Sequence, residues 1–162
     1  MNDRYLFKAK RKDNGEWVQG NLIQSCDSTD GWEAIIIPVK NSNMFAKHIE
    51  NDYSTMFTKP IGRGYGNLGF ENWYRVDPST ICLCTGLKDK NGKLIWEYDI
   101  CDRKEEYPEI VKYNNGDWTL DYSYLKGKES GYCYCNLGFY ALERKYVEVI
   151  GNVFDNPELL KK

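Results

Sequence analysis

The chain has 162 residues, with 22 Lys and Arg against 24 Asp and Glu and a hydrophobic content of 41%. That length allows one full core or two small ones, and no stretch approaches the roughly 18 consecutive apolar residues of a membrane span. The net charge of -2 supplies no global attraction to a phosphate backbone.

Aromatic residues make up 15% of the chain, with 13 Tyr and 5 Trp. Such side chains suit the half-buried faces of short strands, so an all-β chain is expected. From the N-terminus, Met1 to Lys8 contains no apolar core followed by small residues, and the expected compartment is the cytoplasm. Lys12-Asp13-Asn14-Gly15-Glu16-Trp17 then reads as a hairpin, because Asn and Gly accept the positive φ of tight turns. Ile35-Ile36-Ile37, closed by Pro38, is β-branched and reads as a strand. Between Asn41 and Asp77 the pattern becomes irregular and glycine-rich around residues 62–69, which reads as a link between two units.

Two further Asn-Gly dipeptides, Asn91-Gly92 and Asn115-Gly116, give two more hairpins. After the last, Trp118, Leu120, Tyr122 and Tyr124 alternate with polar residues, as in a strand with one buried face. Leu137 to Lys145 has near-helical spacing and is the one place for a short helix. Tyr146 to Val149 reads as a closing strand that stops near Gly151. The expected organisation is an N-terminal hairpin unit with an irregular linker, residues 1–75, and a C-terminal unit, residues 76–162. Asn-Leu-Gly-Phe occurs at 67–70 and 136–139, but the flanking residues do not align and no repeat is inferred.

Two blocks carry a family likeness. The first runs from Val76 to Ile100 and contains Thr85-Gly86-Leu87-Lys88-Asp89 and Ile95-Trp96-Glu97-Tyr98-Asp99-Ile100. The second runs from Glu148 to Leu160 and contains Ile150-Gly151-Asn152 and Asn156-Pro157. Together they resemble the YopX-like family of bacteriophage and prophage proteins, whose function is uncharacterised. The likeness covers the C-terminal half, with weaker agreement over Tyr5 to Trp17. It implies a C-terminal barrel of SH3-like type in a bacterial host, and no activity or cofactor. It also implies turn or bend roles for Gly86, Asp89, Asn91, Gly92 and Gly151. Tyr98 departs from the family pattern, which commonly has glycine or another small residue before the aspartate.

The residues offer few chemical constellations. Cys82-Leu83-Cys84 and Cys133-Tyr134-Cys135 could present four thiolates to zinc, but knuckles use about two to four intervening residues. A C-x-C pair on a strand points both sulfurs to one face, where cysteine works as a small core residue. In the reducing compartment expected without a secretory signal, all six cysteines are read as free thiols. Gly64-Tyr65-Gly66-Asn67-Leu68-Gly69 satisfies G-x-G-x-x-G, yet Pro60 precedes it and Pro78 follows too soon for a crossover helix, so no nucleotide loop is read. His48, the single histidine, has no nucleophile or acid pattern beside it. Glu97 and Asp99, with Asp102 near, could share a strand face and hold a cation, although solvated edge charges explain them more simply.

Arg63, Tyr65, Trp73, Tyr74 and Arg75, with Phe70 between, combine cations with aromatics and form the candidate interaction surface within the Gly62 to Arg75 segment. The favoured function is a non-enzymatic binding or assembly module, with no catalytic residue, metal or cofactor assigned. Its partners would be itself, as a homo-oligomer joined through strand edges, or a host or phage protein. The alternative is a single-stranded nucleic-acid-binding accessory protein; an unidentified enzyme comes third.

Overall fold

A computed structural model describes residues 3–25, 33–40, 44–47, 57–61, 64–70, 72–125 and 135–161, with the backbone alone described at 44–47, 57–61 and 64–70. The chain is mainly antiparallel β-structure, as the turns and alternation predict. It divides into two compact units, one formed by Phe7–Ile81 and the other by Met1–Leu6 together with Cys82–Lys162. No described helix is long and apolar enough to cross a membrane.

In the Phe7–Ile81 unit, β1 (Phe7–Lys10), β2 (Trp17–Ser25) and β3 (Glu33–Pro38) pair antiparallel in sequence order. The turn between β1 and β2 is closed by the Arg11 amide donating to the Glu16 carbonyl at 2.9 Å, with Gly15 at φ +73°. Gly20 lies where a Cβ would overlap the Ile37 carbonyl, so glycine permits the close approach of β2 to β3. Both faces of β3 are buried along Ala34 to Ile37.

β4 (Met44–Lys47), β5 (Phe57–Ile61) and β6 (Gly64–Phe70) form a separate three-stranded sheet in the order β4-β6-β5. β7 (Tyr74–Val76) then pairs with β3, setting Val76 opposite Ala34. The stretch read as an irregular link therefore contains four strands. Glycines at 64, 66 and 69 carry no side chain, so they hide the period-two pattern by which strands are recognised. The G-x-G-x-x-G run lies inside β6, paired with both neighbours.

The outer side of β7 is not an open edge. Arg11 bridges Val76, the Lys12 amide donates to the Arg75 carbonyl at 2.9 Å, and the Asp77 amide donates to the Lys10 carbonyl at 2.8 Å. The residues just after β1 thus occupy the outer groups of β7, which would otherwise be able to recruit another strand. Ala9, Ala34, Ile36 and Val76 fill the inside, with Phe7, Val18, Leu22 and Ile81 packed against them. Because Val76 belongs to this core, the unit ends at Ile81, six residues beyond the position 75 boundary read from sequence.

In the other unit, β8 (Cys82–Lys88) pairs with β9 (Leu94–Trp96). β10 (Asp99–Asp102), β11 (Glu109–Asn114), β12 (Asp117–Asp121), β13 (Cys135–Asn136) and β14 (Glu148–Asn152) form a sheet in the order β13-β12-β11-β10-β14. Asn115 and Gly116, at φ +50° and +90°, make the two-residue turn between β11 and β12. β12 stops at Asp121 rather than running to Tyr124, because the Asp121 carboxylate accepts the Ser123 amide at 2.7 Å and turns the chain.

The expected helix is a six-residue π-helical turn, Phe139–Arg144, ended by Lys145 in the left-handed region. Asn136 Oδ1 accepts the Phe139 amide at its start. The core of this unit is Ile95, Cys101, Val111, Leu120, Leu137, Ala141, Val147 and Val149.

Candidate functional site

The two sequence blocks that carry the family likeness become one polar framework in the Cys82–Lys162 part of the chain. Between Cys84 and Lys88 the β8–β9 register shifts, and Thr85 spans the irregularity. Its hydroxyl donates to the Ile95 carbonyl at 2.8 Å and accepts the Leu87 amide at 3.0 Å. Gly86, at φ +76°, supplies the bulge conformation that side chains avoid.

Asp89 then closes the hairpin. Its Oδ1 accepts the Asn91 and Lys93 amides, each at 2.9 Å, and its Oδ2 accepts the Val149 amide of β14 at 3.1 Å. The neighbouring Lys90 amide donates to the Val147 carbonyl, and the Lys90 ammonium pairs with Glu148 at 2.5 Å. One hairpin thereby occupies the outer edge of the closing strand.

The Trp96–Asp99 turn has similar logic. The Asp99 Oδ2 accepts the Trp96 amide at 2.9 Å inside the protein. Tyr98 stands at φ +63°, a region costly for a non-glycine residue. Its backbone is held from both sides, donating to the Val111 carbonyl and accepting the Val153 amide, while its ring meets Phe154 edge-on at 5.8 Å. Gly151 leaves room for the C-terminal segment: a Cβ there would come within 2.6 Å of Asn156 Oδ1 and 2.9 Å of Leu159, whose side chains would have to shift.

Glu97 and Asp99 do not form a solvent-facing carboxylate pair. Asp99 is only 2% exposed and bonded to backbone, whereas Glu97 is half-buried beside β8, with the Leu83 amide at 3.5 Å. Burial pushes the Glu97 carboxyl above its usual range, and that amide pulls only partly back.

The other buried charges are also engaged. Glu109 receives Arg103 through Nε at 2.5 Å and Nη2 at 2.7 Å, and the guanidinium lies 3.9 Å over the Tyr140 ring. Burial alone would lower the Arg103 pKa, but Glu109 outweighs it and the value is raised. Asp121 accepts from Lys112 and from the Ser123 hydroxyl. Burial pushes that carboxyl up, and these hydrogen bonds more than offset it, leaving the pKa lowered.

Cys82 and Cys84 are both buried on one face of β8, as strand alternation requires. Burial holds the Cys101 thiol far above its usual range. Cys135 lies 3.5 Å from Arg103 Nη2. Among the described residues no three His, Cys, Asp or Glu side chains gather as metal ligands. His48, Cys26 and Cys133 lie outside the described residues.

Of the candidate interaction residues, Arg63 lies outside the described residues, and for Tyr65 and Phe70 the backbone alone, in β6, is described. Of the other three, Tyr74 and Arg75 divide between two faces. Tyr74 points to the core side, with the Arg11 guanidinium 4.0 Å from its ring. Arg75 alternates to the opposite side and is exposed, as is Trp73, which precedes the strand.

The structure adds a grouping that sequence reading missed, on the β1–β2 face opposite Ala9 and Val18. Lys10 pairs with Trp17 and Lys8 with Gln19; the Lys8 and Lys10 ammonium groups lie 5.1 and 5.6 Å from the Trp17 ring centre. Alternation through Lys8-Ala9-Lys10, folded back at the Asn14-Gly15 turn, was the available signal.

Glu97 gives a pH-dependent prediction. Its proton is held more firmly in the folded chain, so folding is penalised once pH exceeds the unfolded glutamate value of about 4.3. The penalty grows until pH passes the raised folded value and is constant above it. Glu97→Gln is therefore expected to raise Tm near pH 7 and leave it unchanged below about pH 4, measured by thermal unfolding across pH.

The fold has a solved counterpart in the crystal structure of protein EF1440 from Enterococcus faecalis, at 22% identity, 96% coverage of both chains and a TM-score of 0.54. No curated protein matches the sequence. The sequence profile of the family described as YopX protein matches residues 6–161. The match takes in nearly the whole chain, including the N-terminal unit, and the chain belongs to the YopX protein family.

Proposed function

We propose that this YopX-family chain is a non-enzymatic binding or assembly module of phage or prophage origin, working in the bacterial cytoplasm and associating with itself. The C-terminal unit is read as a small barrel of SH3-like type serving as scaffold. One observation carries the non-enzymatic reading: the buried carboxylates among the described residues, Asp89, Asp99, Glu109 and Asp121, are bonded to the chain's own amides, hydroxyl or cations. Groups used in this way fix the fold, whereas catalytic acids and bases are held ready for substrate.

Self-association is supported by the exposed apolar side chains of Phe139, Leu142 and Tyr146 around the π-helical turn, at 44%, 58% and 59% exposure. Strand addition has less support than the sequence suggested, since β7 and β14 have their outer edges occupied.

Asp99→Asn is expected to lower Tm, because the charged acceptor of the Trp96 amide is lost. A raised Tm would mark a carboxylate kept at a cost to stability for chemistry, and would overturn the non-enzymatic reading. Multi-angle light scattering is expected to show a mass above the monomer that rises with concentration. A strict monomer throughout would remove the self-association.

A further inference from the structure

We propose that Asn115, in the turn between β11 and β12, is a site of spontaneous covalent modification to aspartate and isoaspartate, selected by the unengaged polar groups of that turn.

The chain has three exposed Asn-Gly pairs at hairpin turns, Asn14-Gly15, Asn91-Gly92 and Asn115-Gly116. In each, the glycine nitrogen can attack the asparagine Cγ, because glycine has no side chain to obstruct the approach. The N–Cγ bond forms, the Cγ–Nδ2 bond breaks, and ammonia leaves with the proton that the glycine amide gives up. Water then opens the resulting succinimide at either carbonyl. One opening yields aspartate, and the other yields isoaspartate, in which the main chain runs through the side-chain carbon.

Hydrogen bonding separates the three pairs. A Cβ placed on Gly15, Gly92 or Gly116 would meet nothing within 4 Å, so steric access is alike at all of them. The Gly15 amide donates to the Arg11 carbonyl at 3.0 Å. The Asn14 carboxamide is held at both ends by Glu16, accepting its amide at 3.0 Å and donating to its carboxylate at 2.8 Å. The Gly92 amide donates to the Asp89 carbonyl at 2.9 Å, and Asn91 Nδ2 reaches the Glu148 carboxylate at 3.4 Å.

At the third pair, Asn114 and Asp117 face each other as the last residues of the ladder, which leaves the two central residues of the turn outside it. Among the described residues, neither the Asn115 carboxamide nor the Gly116 amide makes a hydrogen bond. Nucleophile and electrophile are therefore both available there, whereas at Asn14 and Asn91 the bonds must be given up first. Giving up one or two such bonds slows a step about tenfold.

The consequence is local. Isoaspartate adds a backbone atom to a turn whose length sets the Asn114–Asp117 register, and either product places a carboxylate two residues from Asp117. Trp118, the next residue of β12, packs against the core of the unit.

The test is peptide mapping by mass spectrometry of the full chain, held folded at mildly alkaline pH to promote loss of the glycine amide proton, with isoaspartate counted by enzymatic methyl labelling. Asn115 is expected to convert first, with Asn14 and Asn91 about tenfold slower or more. In the same chain unfolded by urea, all three should react at similar rates, since each asparagine is followed by glycine.

Asn14 or Asn91 converting as fast as Asn115 in the folded chain overturns the proposal, as does Asn115 staying intact. A preference for Asn115 that persists unchanged in urea would trace to the neighbouring sequence rather than to the turn, and would equally overturn it.

Discussion

The C-terminal unit depends on one carboxylate. Asp89 reaches from a tight hairpin to two amides of its own turn and to the amide of Val149, 60 residues later in the chain. A hydrogen bond to a charged acceptor contributes about 1.5–3 kcal/mol, and a buried acceptor left without donors costs as much again. This side chain is only 6% exposed, so the turn, the closing strand and the charge are stable together or not at all. The Lys90–Glu148 pair and the Lys90 amide repeat the same connection beside it.

Around this clamp the family-like residues have mechanical roles. Thr85 and Gly86 absorb a register shift, Asp99 holds the Trp96 turn, and Gly151 leaves room for Asn156 and Leu159 of the C-terminal segment. Asn152 continues the pattern, its Oδ1 accepting the Phe154 and Asp155 amides. Strands this short bury little apolar area each, so their ends must be fixed by side chains that saturate backbone groups. That explains why so many of the motif residues are small or polar.

Legibility in the sequence followed the reach of the signal. The Asn-Gly turns, the alternation through Trp118 and Leu120, and the β-branched run at Ile35 were readable because each lies within a few residues and has a local steric cause. β6 was not, since its glycines present no side chain to alternate. The end of β12 at Asp121 was missed because an apolar pattern continues past it while a side-chain hydrogen bond stops the strand. The Asp89 turn was legible, but its hold on β14 was not, because sequence spacing carries no information about a partner 60 residues away. The same limit separated Trp17 from Lys8 and Lys10, which a register brings together, and grouped Tyr74 with Arg75, which alternation divides.

The clamp is tested most directly by amide hydrogen exchange on Asp89→Ala. The account predicts loss of protection at Asn91, Lys93 and Val149 together, with unfolding free energy lowered by at least about 2 kcal/mol. Val149 protection unchanged, with stability within about 0.5 kcal/mol of the parent, would contradict it.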